Sequence, residues 1–256
     1  MKKRFGQNFL INEWISNKIV ELGSINDQNV IEIGPGNLAL TNAIRHQKPK
    51  KFISIEIDNS LKKNYSQTDL QNIIFEDALN FDERKYFNNE NFTIISNLPF
   101  NISSQLLTKW IFIQNNYNCI NEMILMFQKE LAERIVAKVN TKKYGRLTIL
   151  CRGFFDVEYC LTVIKDSFFP KPKVDAAVLR FKKLKENKID KNNFKKLEKI
   201  TSLFFNERRK KNKKKFEKIL NQNEINNFEK YFQLRAENLS EEIYFKLSKT
   251  IELKNF

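Results

Sequence analysis

The stretch Asn29-Val30-Ile31-Glu32-Ile33-Gly34-Pro35-Gly36 decides the fold. Its first five residues, apolar and β-branched with one acid among them, read as a short buried strand. The glycines that follow let a backbone turn come close to a ligand. Residues 38–44 then carry apolar positions at helical spacing. Strand, glycine turn and helix open a βα unit, and the pattern repeats. Further strands are predicted over 52–57, 72–75, 92–96 and 123–127, with helices around 59–65 and 103–113. Such alternation predicts an α/β fold built on a parallel sheet. Residues 159–164 and 176–181 can add a late antiparallel pair. Ahead of the first strand, Trp14, Ile15, Ile19 and Leu22 share one face of a helix over 12–22, preceded by the basic, aromatic segment KKRFGQNFLI (2–11).

Four predicted strands end in polar signatures. The first ends at Gly34 and Gly36. This is not the dinucleotide fingerprint, because Ala39 stands where a third glycine would fall. The second ends at Glu56, 22 residues after Gly34. A carboxylate at that separation is placed to accept hydrogen bonds from both hydroxyls of a ribose. The third ends before Asp77, placed for an adenine amine. The fourth runs into Ser96-Asn97-Leu98-Pro99-Phe100, where proline stops the strand and holds the preceding residue extended. A planar amide and an aromatic ring then emerge together, and they suit an exocyclic amine and a flat base. Each feature also has a plain structural reading: a glycine turn, a surface acid, a helix N-cap at Asp77, a strand-to-loop turn at 97–100. Their convergence favours a site, because ligands of open parallel sheets bind across the carboxyl ends of the strands. With no P-loop, zinc spacing or nucleophile elbow, an adenosine and ribose site without a phosphate clamp points to S-adenosylmethionine rather than NAD or ATP.

The chain has 256 residues, 41% of them hydrophobic, enough for one large domain with a smaller one. Its formal charge is +15 and its pI near 9.6, which suggests a polyanion partner, nucleic acid before an anionic membrane. A basic surface with no such partner is the other reading. The charge is localised: residues 182–218 hold 16 Lys/Arg against 5 Asp/Glu, a net +11. There Phe194, Leu197, Ile200, Leu203 and Phe204 recur at helical spacing, so a basic helical module follows a linker near 182–192. Within it Arg208, Arg209, Lys210, Lys211, Lys213 and Lys214 are candidate RNA contacts, since like charges so close together repel unless an anion joins them. Cys119, Cys151 and Cys160 form no CxxC pair and His46 is the single histidine. Neither a disulfide framework nor a metal site is expected. No signal-peptide core and no apolar run of membrane-spanning length appears, so a cytoplasmic protein is expected.

Motifs along nearly the whole chain resemble those of the small-subunit ribosomal RNA adenine dimethyltransferases. They are FGQNFL (5–10), EIGPG (32–36), EID (56–58), EDAL (76–79), NLPFNIS (97–103) and QKE (128–130), then YGRL (144–147), FFPKPKVDAAV (168–178), FNERRK (205–210) and LRAENLS (234–240). The resemblance implies a Rossmann-like S-adenosylmethionine-dependent methyltransferase domain over 1–183, with 1–11 touching cofactor and RNA, and a small α-helical rRNA-binding domain over 184–256. It implies a monomer that dimethylates two adjacent adenosines near the 3′ end of small-subunit rRNA in an immature ribosomal particle. Asn8 and Leu10, and with them Gln7, would join Gly34, Gly36, Glu56, Asp77 and Asn97 around the cofactor. At the catalytic corner Asn97, Leu98, Pro99 and Phe100 would meet the target base, with Phe168 as a second wall. The family usually has tyrosine where this chain has Phe100, so the ring is kept and the hydroxyl is not.

Three rival readings share parts of this pattern. Enzymes that methylate an adenine of large-subunit rRNA and confer macrolide resistance share QNF, EIG, EID and NxPF, whereas FNERRK and LRAENLS favour the small-subunit class. A non-catalytic ribosome assembly or transcription factor on the same fold would not need Gly34, Glu56, Asp77 and Asn97 together. DNA adenine methyltransferases typically carry proline where Leu98 stands.

Overall fold

The computed structural model describes residues 7–251. Residues 1–6 of the N-terminal segment and 252–256 of the basic region lie outside the described residues. The described chain forms two compact units, one running to Ala132 and resuming over Glu158–Lys183, the other made of Glu133–Val157 and the chain from Leu184 onward.

The first unit is organised by a sheet whose strands are β2 (Asn29–Ile33), β3 (Lys51–Glu56), β4 (Ile73–Phe75), β5 (Phe92–Asn97), β6 (Ile120–Gln128), β7 (Phe155–Val163) and β9 (Ala176–Lys183). The spatial order is β4-β3-β2-β5-β6-β9-β7. Strands β2 to β6 are parallel to their neighbours, and β9 runs antiparallel to β6. The chain builds outward from β2 through β3 to β4, then returns to lay β5 on the other side of β2. That reversal is the switch point at which open α/β sheets take ligands. Ser96 closes it by donating its hydroxyl to the Ile33 carbonyl at 2.6 Å. A separate small ladder pairs β1 (Phe9–Leu10) antiparallel with β8 (Phe168–Phe169). Helices α1 (Glu13–Glu21), α2 (Ala39–His46), α3 (Gln67–Leu70), α4 (Glu83–Tyr86), α5 (Ser103–Tyr117) and α6 (Lys129–Ile135) connect the strands.

The central strands are apolar on both faces because the sheet is covered on both, and Val30, Ile31, Ile33, Ile94 and Ile95 are all buried. Glu32 is the exception within β2. Its carboxylate accepts hydrogen bonds from the hydroxyls of Thr41 (2.6 Å) and Ser54 (2.8 Å), which tie α2 and β3 to β2. A second buried acid, Glu83, accepts from the Trp110 indole and the Lys109 ammonium, each at 2.8 Å. The same ammonium donates to the carbonyls of Ala78 (2.7 Å) and Phe81 (2.5 Å). Buried carboxylates are tolerated only with such partners.

Two predicted details change. In α1 the side chains of Ile15 and Ile19 are buried, but Trp14 is 63% exposed. The buried stripe is Ile15, Ser16, Ile19 and Val20, and Trp14 lies on the far side of the helix from its centre, while Asn12 caps the helix by accepting the Ile15 N–H at 3.1 Å. Helix α5 continues to Tyr117, past the predicted end at 113, because Gln114 is buried and bridges the exit: its amide donates to Asn118 (2.8 Å) and accepts from the Ile120 N–H (2.9 Å).

In the second unit, α8 (Phe194–Asn206) buries Phe194, Leu197, Ile200 and Phe204 as its spacing predicts. With α7 (Arg146–Arg152), α9 (Lys213–Ile219), α10 (Gln222–Ile225) and α11 (Glu241–Thr250) it encloses an aromatic core, in which Phe204 meets Phe216 and Tyr244 edge-on at 5.2 and 5.6 Å. Composition changes at Lys182, and the unit boundary near 184 follows it. The segment Glu133–Val157 also joins this unit, although its composition gives no sign of it. Arg152 holds it there by pairing with Glu241 at 2.8 Å while donating to the carbonyls of Val136 and Ala137. None of the described helices is long and apolar enough to cross a membrane.

Burial raises the pKa of Glu32 from 4.5 to about 7, the two hydroxyl bonds only partly offsetting it. The folded state therefore holds a proton that the unfolded state has released between these values, so stability falls as pH rises through that window. The loss amounts to about 3 kcal/mol once both states are ionised. Urea unfolding across the window should show this fall in the native chain and a smaller one in Glu32→Gln, which keeps an acceptor for both hydroxyls.

Candidate active site

A crevice opens at the carboxyl ends of β2, β3 and β5 and the turn after β4. The sequence-predicted residues Asn8, Gly34, Gly36, Glu56, Asp77, Asn97, Leu98, Pro99 and Phe100 line it, as does Gln7. Residues distant in sequence meet there because each sits at the end of a parallel strand or on the N-terminal segment laid across those ends.

The glycine turn is set by sterics. Gly34 and Gly36 have φ of +71° and +52°, a region that disfavours side chains. A Cβ at Gly36 would stand 2.6 Å from the Phe9 ring. The Tyr65 hydroxyl donates to the Gly36 carbonyl at 2.9 Å and fixes the turn from below. At the end of β3, Glu56 is 4% exposed, and its carboxylate accepts the Asp58 N–H at 2.8 Å. Burial pushes its pKa above the ordinary carboxylate value, against the lowering effect of the Asp58, Gly36 and Ile57 N–H groups. Asp58 in turn accepts from the Gln7 amide (3.2 Å) and the Ser60 hydroxyl (2.6 Å). Asp77 caps no helix, because residues 78–80 form a turn. It lines the crevice, and it also accepts the Leu79 N–H at 2.9 Å and so shapes its own turn.

At the end of β5 the Asn97 amide nitrogen donates to the Asn8 carbonyl at 3.0 Å. With Nδ2 committed, the side-chain oxygen is left as the available acceptor. Among the carbonyls that follow, Pro99 accepts the Ile102 N–H (3.2 Å) and Phe100 accepts the Ser103 hydroxyl (3.1 Å). The Leu98 carbonyl has no donor among the described residues. Two acceptors and the Phe100 ring therefore stand together in this loop. Phe100 packs its inner side on the core that includes Leu10, Ile95 and Phe168.

Two predicted residues are not in the crevice. Leu10 is 2% exposed and Phe168 3% exposed, and both belong to the hydrophobic core. The reason is the pleat of the small ladder: Leu10 pairs with Phe168 and Phe9 with Phe169. Residues directly opposite share a face, and successive residues alternate. Phe9, not Leu10, faces the crevice, and Phe169 rather than Phe168 is the exposed ring, at 61%. Leu10 contributes its backbone instead, its carbonyl accepting the Asn37 amide at 2.7 Å. Tyr65 and Lys109 support the site and were not anticipated. A tyrosine just past the end of a short helical turn carries no motif, and Lys109 lies on a helix whose spacing signals only apolar positions.

In the second unit, the predicted basic residues lie on the turn between α8 and α9 and on the first turn of α9. The Arg208 guanidinium is engaged internally, with the Glu237 carboxylate (3.1 Å from Nε) and the Lys142 carbonyl (2.7 Å). Lys210 pairs with Glu207 at 2.5 Å, Lys211 donates to Gln233 at 2.6 Å, and Lys213 lies 3.8 Å from Glu217. Arg209 and Lys214 are exposed and make no side-chain hydrogen bond or ion pair with the described residues. Lys215, next in the run, is buried and donates to the carbonyls of Phe204 (2.8 Å) and Glu207 (3.0 Å), a structural use of charge.

Comparison with known proteins agrees with this geometry. A family model described as ribosomal RNA adenine dimethylase matches residues 1–253. The chain is 40% identical over 258 residues to ribosomal RNA small subunit methyltransferase A of Pelagibacter ubique, covering 98% of this chain and 97% of that one. It is 38% identical to the protein of the same name from Malacoplasma penetrans, with 96% and 90% covered. Among solved structures it is similar to a dimethyladenosine transferase from Plasmodium falciparum, at a TM-score of 0.76 and 26% identity, with 95% and 99% of the two chains covered. The 23S rRNA methyltransferase ErmE shares the fold, at a TM-score of 0.73 and 21% identity, with 94% and 98% covered. With its Rossmann-like sheet, its helical second unit and a family match over nearly its full length, the chain belongs to the ribosomal RNA adenine dimethylase family.

Proposed function

We propose that this protein uses S-adenosylmethionine to dimethylate the exocyclic N6 amines of two adjacent adenosines near the 3′ end of small-subunit rRNA, acting as a cytoplasmic monomer on an immature ribosomal particle. The observation that carries the reading is the anchored Asn97 amide, whose oxygen shares one loop with the Leu98 carbonyl and the Phe100 ring. The names of the relatives from Pelagibacter ubique and Malacoplasma penetrans support the small subunit as the substrate.

The crevice fits the donor. Glu56 is buried, and its carboxylate has more acceptor sites than its Asp58 bond uses, so it suits the two ribose hydroxyls. Gly36 lets the Phe9 ring pack directly on the turn, where a Cβ would collide with it. Asp77 suits the adenine amine, and Asn8 and Gln7 close the crevice from the N-terminal segment. When bound, S-adenosylmethionine supplies an electrophilic methyl group on a sulfonium.

The chain's own part is alignment and charge. An adenine amine is a poor nucleophile because its lone pair is delocalised into the ring. Acceptance of its two hydrogens by Asn97 Oδ1 and the Leu98 carbonyl favours a pyramidal nitrogen and stabilises the positive charge that develops there. Phe100 stacks on the extruded base. Its missing hydroxyl removes nothing from this scheme. The amine loses its proton to water, since the loop 97–100 carries no titratable side chain. Arg209 and Lys214 are the exposed cations best suited to phosphate contacts, and Arg208 reaches RNA only from its partly exposed edge.

Three outcomes are expected. Asn97→Ala should lower methyl transfer at saturating substrates by roughly 10²–10³-fold, the usual cost of removing one positioned group that stabilises developing charge. Phe100→Ala should lower it by about tenfold or more while leaving donor affinity unchanged, because stacking is worth ~1–3 kcal/mol per base. Donor affinity by calorimetry should fall in Glu56→Ala. In the native chain it should weaken on acidification at a pH above that at which an exposed glutamate titrates, because burial raises the Glu56 pKa and the protonated form accepts fewer hydrogen bonds. The reading as a whole is tested by incubating the protein with labelled donor and separate small- and large-subunit particles, then mapping the modified base. Label confined to the large subunit would overturn it.

A further inference from the structure

Nine large apolar side chains stand exposed among the described residues, and five of them come from two short segments: Ile11 and Trp14, and Ile164, Phe169 and Val174. The β1–β8 ladder stitches these segments together. Phe9 faces Phe169, and the register continues past the strand ends, where the Ile11 N–H donates to the Ser167 carbonyl at 2.9 Å. Leu10 and Phe168 fill the core side of the ladder. By alternation Phe9, Ile11 and Phe169 share the opposite side. Phe9 lines the crevice, so the outer face of the ladder leads directly out of it.

Exposed ammonium groups stand along this face. Lys165, Lys171 and Lys173 are exposed on the loop that carries Phe169, and the Lys18 ammonium lies 5.9 Å from the Trp14 ring centroid. Lys171 pairs with Asp166 and Lys18 with Glu21 (2.7 Å), Asp175 accepts the Lys165 backbone N–H (3.0 Å), and Glu13 is an exposed acid beside Trp14, so the Lys165 and Lys173 ammonium groups are the ones that make no ion pair with the described residues.

We propose that this outer face is a platform for the single-stranded nucleotides that flank the target adenosine, with Phe169 and Trp14 stacking on bases and the lysines meeting phosphates. The proposal rests on the RNA-methylating reading given above and adds to it a surface outside the crevice. Stacking rings rimmed by ammonium groups are the means by which proteins hold unpaired nucleic acid, and a duplex would hide the base faces from them. A base drawn into the crevice obliges its neighbours to cross the surface around the opening, and the ladder side that begins at Phe9 is part of that surface.

The two tryptophans provide the test. Trp110 is fully buried and Trp14 is 63% exposed, so emission changes caused by a ligand at the surface report on Trp14. The probe is a single-stranded RNA of about ten nucleotides containing two adjacent adenosines, within the site size such platforms cover. It should quench the full-length protein, and the quench should vanish in Trp14→Phe. Phe169→Ala and Trp14→Ala should each weaken binding of the labelled probe by about tenfold in anisotropy, with donor affinity unchanged as the check on folding. Unchanged probe affinity in both variants would overturn the platform, as would equal quenching by duplex RNA of the same sequence, which would mark the face as a general polyanion surface. If the native protein is quenched as expected yet labels only large-subunit particles, the platform stands and the small-subunit substrate fails.

Discussion

The rest of the site depends on one hydrogen bond, from the Asn97 amide to the Asn8 carbonyl. It fixes the rotation of a side chain whose two ends have opposite hydrogen-bonding character, so that the oxygen rather than the nitrogen is offered to a ligand. It also pins the N-terminal segment across the ends of the central strands. Phe9 is thereby held against Gly36, and Gln7 is brought to Asp58. Donor and acceptor sides of the crevice thus share a wall that is continuous in sequence from Gln7 to Phe9.

Acids in this unit divide according to what burial does to them. Glu32 and Glu56 lie on adjacent strands, both raised by desolvation, and only Glu56 lines the crevice. Glu32 spends its hydrogen bonds on Thr41 and Ser54 and has become part of the packing. Basic residues divide similarly in the second unit. Lys215 and Arg208 hold the turn between α8 and α9 together, and this frees Arg209 and Lys214 to face outward. A run that reads as uniform charge in sequence is therefore part scaffold and part surface.

What could be read from the sequence follows from how local the signal is. Gly34, Glu56, Asp77 and Asn97 were legible because each closes an apolar run, and parallel topology then forces them to one edge. The basic helix from Phe194 was legible because its apolar period spans several turns. Leu10 and Phe168 were misplaced because a ladder two residues long has no period to read, and in Phe168-Phe169 nothing local says which ring turns inward. Trp14 was misplaced because the buried stripe runs through Ser16 and Val20, and a serine gives no sign that its side of the helix turns inward. The segment Glu133–Val157 joins the second unit through Arg152 and Glu241, residues 89 apart in sequence, and no composition window spans that distance.

The Lys109 ammonium, which bridges Glu83 and the carbonyls of Ala78 and Phe81, has a mechanical meaning. It stands six residues into α5, about 9 Å along the axis from the helix start. The helix start is fused to the loop carrying Asn97 and Phe100, and the ammonium grips the turn carrying Asp77 and Leu79. One rigid strut therefore carries the surfaces proposed for the target base and for the adenine of the donor. The separation between the two is set by a helix rather than by the sum of several loops. For a displacement that depends on alignment more than on acid or base, this common ruler is the part of the architecture that keeps the reacting groups in register.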